Sequence, residues 1–511
     1  MEILKQTDPT QKRSKKVFEY TNKIKLDQKA GLLYNDDQQL TQYYYSNSNK
    51  DVVFCKKIVK EKKMKRIVIL LLAVTMLVPA LFAAGKKEEK AVKVDADAPV
   101  TIEFWHAMSG TRIDLIQGIV DEFMKKNPNI TVKVQYTGSY NDTLNKVKSA
   151  VKAGNAPQVF QSYDVGTLGL IYSGIITPVD DAAKEFNLPI KWDDFFTPVQ
   201  SYYKYQGKHY SMPFNSSTPL IYYNKTLFKK AGLDPENPPK TYADIRKAAV
   251  ALKKAGIKTP VTWNLHSWYF EQMICLQDAP FVNNDNGRGK ELPTKALING
   301  EAGKKVLDWW VGMEKDGLFL DVGPGWSNHR AAFVSGEVAM VMSSSSDVNL
   351  LTKGLKEKGW EMGTGYIPRP EGAKGGVAIG GGSLWMTNTG TPEQQLAAIK
   401  LIEYISSDEP QIKWHKGTGY FPVRKTAMDK LKTAGWFEEN PNYLTAFNQL
   451  LDSPESLNTA GALLGVFPEA RSIIQSAIQE CYAGKSVQQA LDESAAKIDA
   501  AMAEWNTVIK Q

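Results

Sequence analysis

The chain has 511 residues, of which 43% are hydrophobic and 23% are charged, a composition that is typical of a folded globular protein. Its formal net charge is +8, but the first 83 residues hold 16 Lys and Arg against 8 Asp and Glu, which leaves 47 of the 63 basic and 47 of the 55 acidic residues for the rest. A body with zero net charge argues against a nucleic-acid partner, because that partner needs a basic field to neutralise its phosphates.

The N-terminal segment is predicted to be removed from the functional protein. Residues 1–63 are rich in Lys, Asn and Gln and have few periodic apolar residues, so we expect a disordered extension. We also expect that translation truly starts at Met64 and that the extension comes from a start codon assigned too far upstream. From Met64 the chain reads "MKRIVILLLAVTMLVPALFAAGKK", in which a basic start, an apolar core and small residues follow one another. This order predicts a cleaved signal peptide over 64–84. An uncleaved membrane anchor is the alternative, although Pro79 interrupts a run that is short for a span.

Cysteine usage fits an exported protein. Cys55 precedes the apolar core and no cysteine follows it closely, so a lipid anchor is not expected and the product should be free in the periplasm. Cys275 and Cys481 could pair in an oxidising compartment. Two separate buried thiols are preferred, because Cys275 lies within an apolar helical pattern where free cysteine is common.

From residue 99 onward, strand-like and helix-like segments alternate. "VTIEFWHAM" is strand-like, 111–126 places Ile113, Ile116, Val120 and Phe123 on one helical face, and Pro128 ends that helix. The strand-like "ITVKVQY", a further helix and the strand-like "PQVFQSY" follow. This repetition predicts an α/β fold with largely parallel sheets. Ligands of such sheets bind beyond the carboxyl ends of the strands. Tyr140 and Asp164 fall there, although either could be an ordinary loop residue.

Two runs of hydroxyl residues also stand at strand ends. In "AMVMSSSSD", 339–347, a strand leads into a predicted helix start, where capping explains one serine and an anion site would use several. "PFNSSTPLIYYNK", 213–225, is predicted to be a loop that enters a strand and crosses between lobes, because Pro219 excludes a helix interior. "AIGGGSLW", 378–385, is predicted to be a flexible loop whose glycines allow close approach to a ligand, with a simple bulge or turn as the alternative.

The C-terminal region is predicted to be helical. Residues 485–506 carry Val487, Leu491, Ala495 and Ile498 on one face, and a second helix starts near Pro468, a favoured first residue. Arg471 lies in the first turn of that helix. It either faces a bound anion or forms a surface salt bridge.

No catalytic or metal-binding pattern is present in the sequence. The five histidines are scattered without metal-ligand spacing, and the chain has neither a G-x-S-x-G elbow nor a phosphate-binding P-loop. We therefore expect no enzyme activity, no cofactor and no metal. Aromatic-rich segments such as "NLHSWYF" are typical of a core, although some exported binding proteins stack such rings on sugars.

Several motifs resemble a known family. The sequence is similar, from about residue 100 to its end, to the extracellular solute-binding proteins of ABC importers, and most of all to members that bind sn-glycerol 3-phosphate. The motifs that carry this similarity are "TIEFWHAM", "YTGSYNDTL", "AGNAPQVFQSYDVGT", "PFNSSTPLIYYNK", "FKKAGLDPENPPKTY", "IGGGSLW", "WHKGTGYFPV" and "PEAR".

The resemblance implies a two-lobed fold with a hinge and a ligand cleft. We expect one lobe from 99–216 with 382–425 and the other from 217–381 with 426–511, each with a mostly parallel sheet flanked by helices. It also implies membrane partners, namely the permease subunits of the inner membrane with their cytoplasmic ATPase.

The resemblance also implies the ligand-contacting residues. Two positions depart from the family pattern, since Asp164 stands where the glycerol-phosphate binders have Glu and Tyr242 stands where they have Trp. The positions that match ligand contacts are Tyr140, Asp164, Ser217, Tyr242, Ser344, Gly381, Tyr420 and Arg471.

Three functions remain open from the sequence. The favoured one is binding of glycerol phosphate or a glycerophosphodiester, with Arg471 and the serines at the phosphate and Asp164 at the glycerol hydroxyls. The second is binding of a neutral sugar or oligosaccharide, which would leave a buried Arg471 without a partner. The third, an exported hydrolase, would need a carboxylate pair or metal cluster that the sequence does not plainly offer.

Overall fold

The computed structural model describes residues 94–509 and the backbone of one short hairpin, formed by the antiparallel strands β1 (Ala30–Tyr34) and β2 (Leu40–Tyr44). The rest of the predicted extension over 1–63 and the predicted signal peptide over 64–84 lie outside the described residues and stay predictions. In the described part of the chain, no helix has the length and apolar character needed to cross a membrane.

Strands and helices alternate through the body, as predicted. The strands are β3 (Val100–His106), β4 (Ile130–Tyr136), β5 (Val159–Tyr163), β6 (Ile176–Thr177), β7 (Lys204–Tyr205), β8 (Lys208–His209), β9 (Met212–Ser217), β10 (Pro219–Asn224), β11 (Val261–Trp263), β12 (Phe319–Asp321), β13 (Met340–Ser344), β14 (Met362–Tyr366) and β15 (Gly380–Thr387). The helices are α1 (Thr111–Lys126), α2 (Tyr140–Ala153), α3 (Thr167–Ile171), α4 (Val179–Glu185), α5 (Thr197–Ser201), α6 (Lys225–Lys230), α7 (Tyr242–Lys254), α8 (Ser267–Cys275), α9 (Glu301–Lys315), α10 (Trp326–Ser335), α11 (Val348–Lys356), α12 (Pro392–Ile405), α13 (Asp408–Thr418), α14 (Lys425–Thr433), α15 (Trp436–Glu439), α16 (Leu444–Leu451), α17 (Phe467–Tyr482) and α18 (Val487–Val508). Residues Asn283–Asn286 form a four-residue turn in which Asn284 and Asp285 have left-handed backbone angles.

The first sheet has the order β4–β3–β5–β15, and the far edge of β15 pairs with β9 and then with β6. Strand β3 is parallel to both β4 and β5, whereas β15 is antiparallel to β5, β9 and β6. Five of its six strands therefore share one direction and β15 alone is reversed. Helix α1 buries Ile116, Ile119, Val120 and Phe123, and it packs beside β4 and α12.

The second sheet has the order β12–β11–β13–β10–β14. Strand β11 is parallel to β12 and β13, while β10 is antiparallel to β13 and β14. Four of its five strands share one direction, and β10 is the reversed one. Most strands of each sheet thus run in one direction, as the α/β pattern predicts, but the reversed strand lies inside each sheet, so five of the nine pairings are antiparallel and the sheets are mixed.

The chain passes between the two sheets at specific points. Strand β9 belongs to the first sheet and β10 to the second, and Thr218 alone separates them. The chain returns when β14 leads to β15. After α13, which packs against α1, the chain returns to the second sheet. There α16 packs on β14, and α17 packs against α8 and α9.

Two segments differ from their predicted conformation. Residues 213–217 were expected in a loop but belong to β9, because they pair with the glycines of β15; the predicted crossing between lobes is present one residue later. The glycine run expected in a flexible loop is itself the start of β15. Its register shifts between Gly382 and Ser383, so a bulge is present, as the alternative for this run proposed.

The C-terminal helices follow the predicted pattern. Helix α17 begins at Phe467 with Pro468 in its first turn, and α18 buries Leu491, Ala495 and Ile498. Cys275 and Cys481 are separate buried thiols, which is the arrangement that the sequence favours.

Candidate ligand-binding site

A cavity of about 370 Å³ lies between the two sheets, where the carboxyl ends of strands from both sheets meet. Such strand ends are the usual ligand site of open α/β sheets. Strand β15 also reaches this edge, since it runs in the opposite direction and contributes its first residues. The cavity is lined by Ala107, Met108, Ser109, Arg112, Ser139, Tyr140, Asn141, Tyr163, Asp164, Ser217, His266, Trp268, Trp326, Arg330, Ser344, Ser346, Gly381, Tyr420, Pro468, Arg471, Ser472 and Gln475.

The structure brings seven of the eight predicted site residues to this cavity. They are Tyr140, Asp164, Ser217, Ser344, Gly381, Tyr420 and Arg471. Tyr242 does not line it. Its ring is buried and stacks on Trp309 at 4.0 Å, because Tyr242 begins α7 and turns into the core of the second sheet's side.

The four serines at 343–346 have different partners. Ser344 Oγ accepts a hydrogen bond from the backbone N–H of Ser346 at 3.2 Å, which is the predicted capping role. Ser343 Oγ instead donates to the buried carboxylate of Asp347. Ser345 Oγ accepts from the N–H of Thr218 at 3.4 Å, and Ser346 Oγ lies 3.0 Å from Ser344 Oγ. Ser344 and Ser346 are the two that face the cavity.

Gly381 is required by a close approach of two strands. Its φ is +101°, and a Cβ at this position would lie 1.9 Å from the carbonyl oxygen of Asn215 in β9. Only glycine fits such a contact and such a backbone angle. This packing brings Ser216 and Ser217 of β9 beside the first residues of β15.

Tyr140 is held in place by aromatic and polar contacts. Its ring stacks on Tyr163, with 5.2 Å between centroids, and its hydroxyl accepts a 2.7 Å hydrogen bond from Asn215 Nδ2. Burial, with smaller effects from neighbours such as Tyr420, raises the pKa of Tyr140 well above its ordinary value. The hydroxyl therefore remains protonated and can donate to a ligand oxygen.

Asp164 and Arg471, which line the cavity, form the acidic cluster together with Glu271. Arg471 donates from Nε and Nη2 to the two oxygens of Glu271, at 2.8 and 2.7 Å, and its Nη2 lies 3.4 Å from Asp164 Oδ2. Although burial opposes the charge, Glu271 and Asp164 raise the pKa of Arg471. Burial raises the pKa of Asp164 to about 6, with Arg471 acting in the opposite direction.

Arg112 and Arg330, which also line the cavity, form the basic cluster together with Asp347. Arg330 Nε donates to Asp347 Oδ2 at 2.8 Å, and Arg112 Nη2 lies 3.6 Å from Asp347 Oδ1. Arg112 Nη2 also donates to the carbonyl oxygen of Ser346 at 2.9 Å. Arg112 starts from α1 beside the first sheet and reaches residues that follow β13 in the second. This contact therefore crosses the cleft.

The sequence reasoning missed several lining residues. Trp268 and Trp326 contribute two indole rings, 6.0 Å apart, and Trp268 lies three residues before Glu271 on α8. The aromatic segment "NLHSWYF" was the signal for Trp268. Arg112 and Arg330 lie on helices, where an arginine in the sequence looks like any solvated residue.

Comparisons with known proteins agree with this architecture. Residues 118–445 match the family model described as "Bacterial extracellular solute-binding protein". The chain is 34% identical over 411 residues to the sn-glycerol-3-phosphate-binding periplasmic protein UgpB of Escherichia coli K12, covering 79% of this chain and 92% of that protein. The UgpB proteins of Shigella flexneri serotype 5b and E. coli O157:H7 match equally well.

Solved structures confirm the predicted two-lobed fold. UgpB from Mycobacterium tuberculosis, in complex with glycerophosphocholine, is 19% identical with a TM-score of 0.68, covering 80% of this chain and 99% of that one. The cyclic alpha-maltosyl-1,6-maltose binding protein from Arthrobacter globiformis is 22% identical with a TM-score of 0.65, covering 79% and 99%. The family model and the UgpB relatives describe solute-binding proteins and not enzymes, and this chain is likewise a binding protein. The chain belongs to the bacterial extracellular solute-binding protein family.

Proposed function

We propose that this protein binds glycerol 3-phosphate or a glycerophosphodiester in the cavity between its lobes and delivers it to an ABC permease. One observation carries the proposal: three guanidinium groups line the cavity together with a single carboxylate, that of Asp164. Guanidinium groups suit phosphate oxygens, and a carboxylate accepts hydrogen bonds from hydroxyls. An anionic polyol presents both kinds of group.

The remaining lining groups fit a small polar ligand. Ser217, Ser344 and the hydroxyls of Tyr140 and Tyr420 can donate to phosphate or ester oxygens. A volume of about 370 Å³ lies within the usual range of small-molecule pockets and exceeds what a glycerol phosphate alone would fill. The indoles of Trp268 and Trp326 give the extra space an aromatic wall that suits the substituent of a phosphodiester. The 34% identity to UgpB supports the same ligand class.

Calorimetric titration of the chain from about Gly85 tests the proposal, with glycerol 3-phosphate, glycerophosphocholine and maltose as ligands. Binding of either phosphate ester with no heat from maltose is the expected result. Binding of maltose alone would reject the proposal and favour the neutral-sugar alternative, since no anionic group would then be required.

Delivery to a permease implies export. We propose that the chain is periplasmic, that it is cleaved near the end of 64–84, and that the bound solute passes to inner-membrane permease subunits served by a cytoplasmic ATPase. The zero net charge of the chain after residue 83 supports a body that functions without the basic N-terminal segment. N-terminal sequencing of the exported protein tests this, and a mature product that starts upstream of Met64 would contradict it.

A further inference from the structure

The two charged clusters of the cavity differ in their charge balance. In the acidic cluster, the guanidinium of Arg471 contacts two carboxylates, so the group carries a net charge of −1 when all are ionised. In the basic cluster, Arg112 and Arg330 share the one carboxylate of Asp347, so that group carries +1. The two clusters together are neutral, and the local excess of positive charge lies at Arg112 and Arg330 and not at Arg471.

The clusters also differ in unused hydrogen-bond donors. Each guanidinium has five N–H groups. Among residues 94–509, Arg112 donates only from Nη2 and Arg330 only from Nε. Both side chains keep about a fifth of their surface exposed, toward the cavity that they line. Arg471, in contrast, donates hydrogen bonds from both Nε and Nη2 to Glu271, and its side chain is 12% exposed.

The hydroxyl groups beside the basic cluster also suit a phosphate ligand. Ser344 and Ser346 lie beside Arg112 at the end of β13, and both face the cavity. Phosphate oxygens accept from hydroxyls and guanidinium groups alike. Buried Asp347 anchors Arg330 from behind, and its Oδ1 has no hydrogen-bond donor among the described residues.

We propose that Arg112 and Arg330 form the anion subsite of the cavity, and that the ligand's phosphate lies between them with its glycerol hydroxyls directed toward Asp164. This inference rests on the proposed function and gives the ligand an orientation. Arg112 comes from one lobe and Arg330 from the other, so a phosphate held by both ties the lobes together. Arg471 acts in this arrangement as a positioning residue that fixes Asp164 and Glu271.

Titration of glycerol 3-phosphate into Arg112→Ala and Arg330→Ala tests the subsite. Because each variant removes one partner of a desolvated charge pair, we expect the dissociation constant to rise about 30-fold or more. Arg246→Ala is the matched control: it removes the same charge from an exposed residue of α7 that pairs with Asp316 and is remote from the cavity lining. It should leave binding within about twofold. Thermal melting establishes that each variant is folded.

The ³¹P NMR titration of bound glycerol 3-phosphate gives a readout that a merely structural role would not move. Two nearby guanidinium groups should lower the second pKa of the phosphate below its free value of about 6. In Arg112→Ala that pKa should return toward the free value, measured at ligand concentrations that saturate the variant.

The outcomes separate this inference from the proposed function. If the wild-type chain binds no phosphate ester, the proposed function fails. If the wild type binds but both arginine variants bind within about twofold and leave the phosphate pKa unchanged, the subsite assignment fails and the phosphate belongs near Arg471. If one arginine variant does not fold, the dissociation constant and the phosphate pKa measured with the other variant decide whether the subsite assignment holds.

Discussion

Arg471 and Glu271 form a two-point ion pair across the wall of the cavity, with Nε and Nη2 of the arginine 2.8 and 2.7 Å from the two carboxylate oxygens. Glu271 lies on α8 and Arg471 on α17, so the pair joins two helices of the same lobe. The second neighbour of Arg471, Asp164, belongs to the other lobe. The guanidinium of Arg471 thus joins two helices of one cavity wall and also contacts a residue across the cleft.

Arg471→Ala is expected to lower stability more at pH 8 than at pH 5. It leaves Asp164 and Glu271 buried without their counter-ion, and such a loss typically costs about 3–5 kcal/mol. The pKa of Asp164, already about 6, should rise further, so the folded variant retains a proton that the unfolded chain releases as the pH increases. Urea unfolding at both pH values measures the difference, and an equal deficit at pH 5 and pH 8 would contradict the role assigned to Arg471.

Asp164→Asn should stabilise the free protein at neutral pH while it weakens ligand binding. The folded-state pKa of about 6 lies above the ordinary value of 3.8, so ionised Asp164 opposes folding. This cost is absent below about pH 4, grows between about pH 4 and 6, and reaches about 3 kcal/mol above that window. Unfolding at pH 4 and pH 7.5 should show a gain only at pH 7.5. A destabilised variant at pH 7.5 would contradict the prediction.

Gly381→Ala should be destabilising and should impair binding. Any side chain here meets the carbonyl of Asn215, and the backbone angle is also unfavourable. Gly372→Ala is the matched control, because Gly372 also has a positive φ but has open space where a Cβ would lie. The control should lose about 1 kcal/mol. If Gly381→Ala lowers the free energy of unfolding no more than the control does, β9 and β15 can move apart to accommodate a Cβ, which would contradict the prediction.

Trp268→Ala is expected to weaken ligand binding, whereas Tyr242→Phe is expected to leave it unchanged. The indole of Trp268 lines the cavity, but Tyr242 stacks on Trp309 outside it and its hydroxyl is buried without a partner among the described residues. Removal of an unsatisfied buried hydroxyl is neutral or stabilising. Calorimetry and thermal melting of both variants provide the measurements. A binding defect in Tyr242→Phe would restore the contact that the resemblance assigned to Tyr242.

Ligand binding is expected to close the two lobes. The cavity walls come from both lobes, and hinge closure is a common response of such binding proteins. Small-angle scattering should show a smaller radius of gyration with saturating glycerol 3-phosphate. The Arg112→Ala variant should compact less at the same fractional occupancy, because it lacks the cation that reaches across the cleft. An unchanged radius in the wild type would count against closure.

Local periodicity was enough to predict the first strands and helices of the body, the strand and helix around 339–347, and the C-terminal helices. Helix α1 follows the apolar spacing of 111–126, and the serine run 343–346 begins in the last two residues of β13 and leads toward α11, close to what its pattern indicates. The conformation of 378–385 was missed because glycine-rich segments look like loops until their pairing with another strand is known. In β4, an edge strand of the first sheet, Ile130 and Val132 are buried while Tyr136 on the same side is 44% exposed, so burial along one strand does not follow from its alternation alone.

The candidate site was predictable only where motifs carried it. Asp164, directly after β5, and Ser344, the last residue of β13, follow from the rule that ligands bind at the carboxyl ends of strands. Arg112 and Asp347 lie 235 positions apart and meet only because the lobes face each other. Glu271 was hidden in the same way, since its pairing with Arg471 depends on how α8 and α17 pack.

The single residue between β9 and β10 sets how far each contact must travel when the protein closes. Thr218 is buried and joins the lobes, and it bonds with Ser345 through both its carbonyl and its N–H. Ser217 precedes Thr218 in the chain and Ser344 pairs with Pro219, so a rotation about Thr218 displaces these two serines little. A ligand is therefore expected to dock first on the nearly stationary hydroxyls beside the pivot. Diffusion then governs this docking step, and rotation of the lobes about Thr218 governs the closure that follows it.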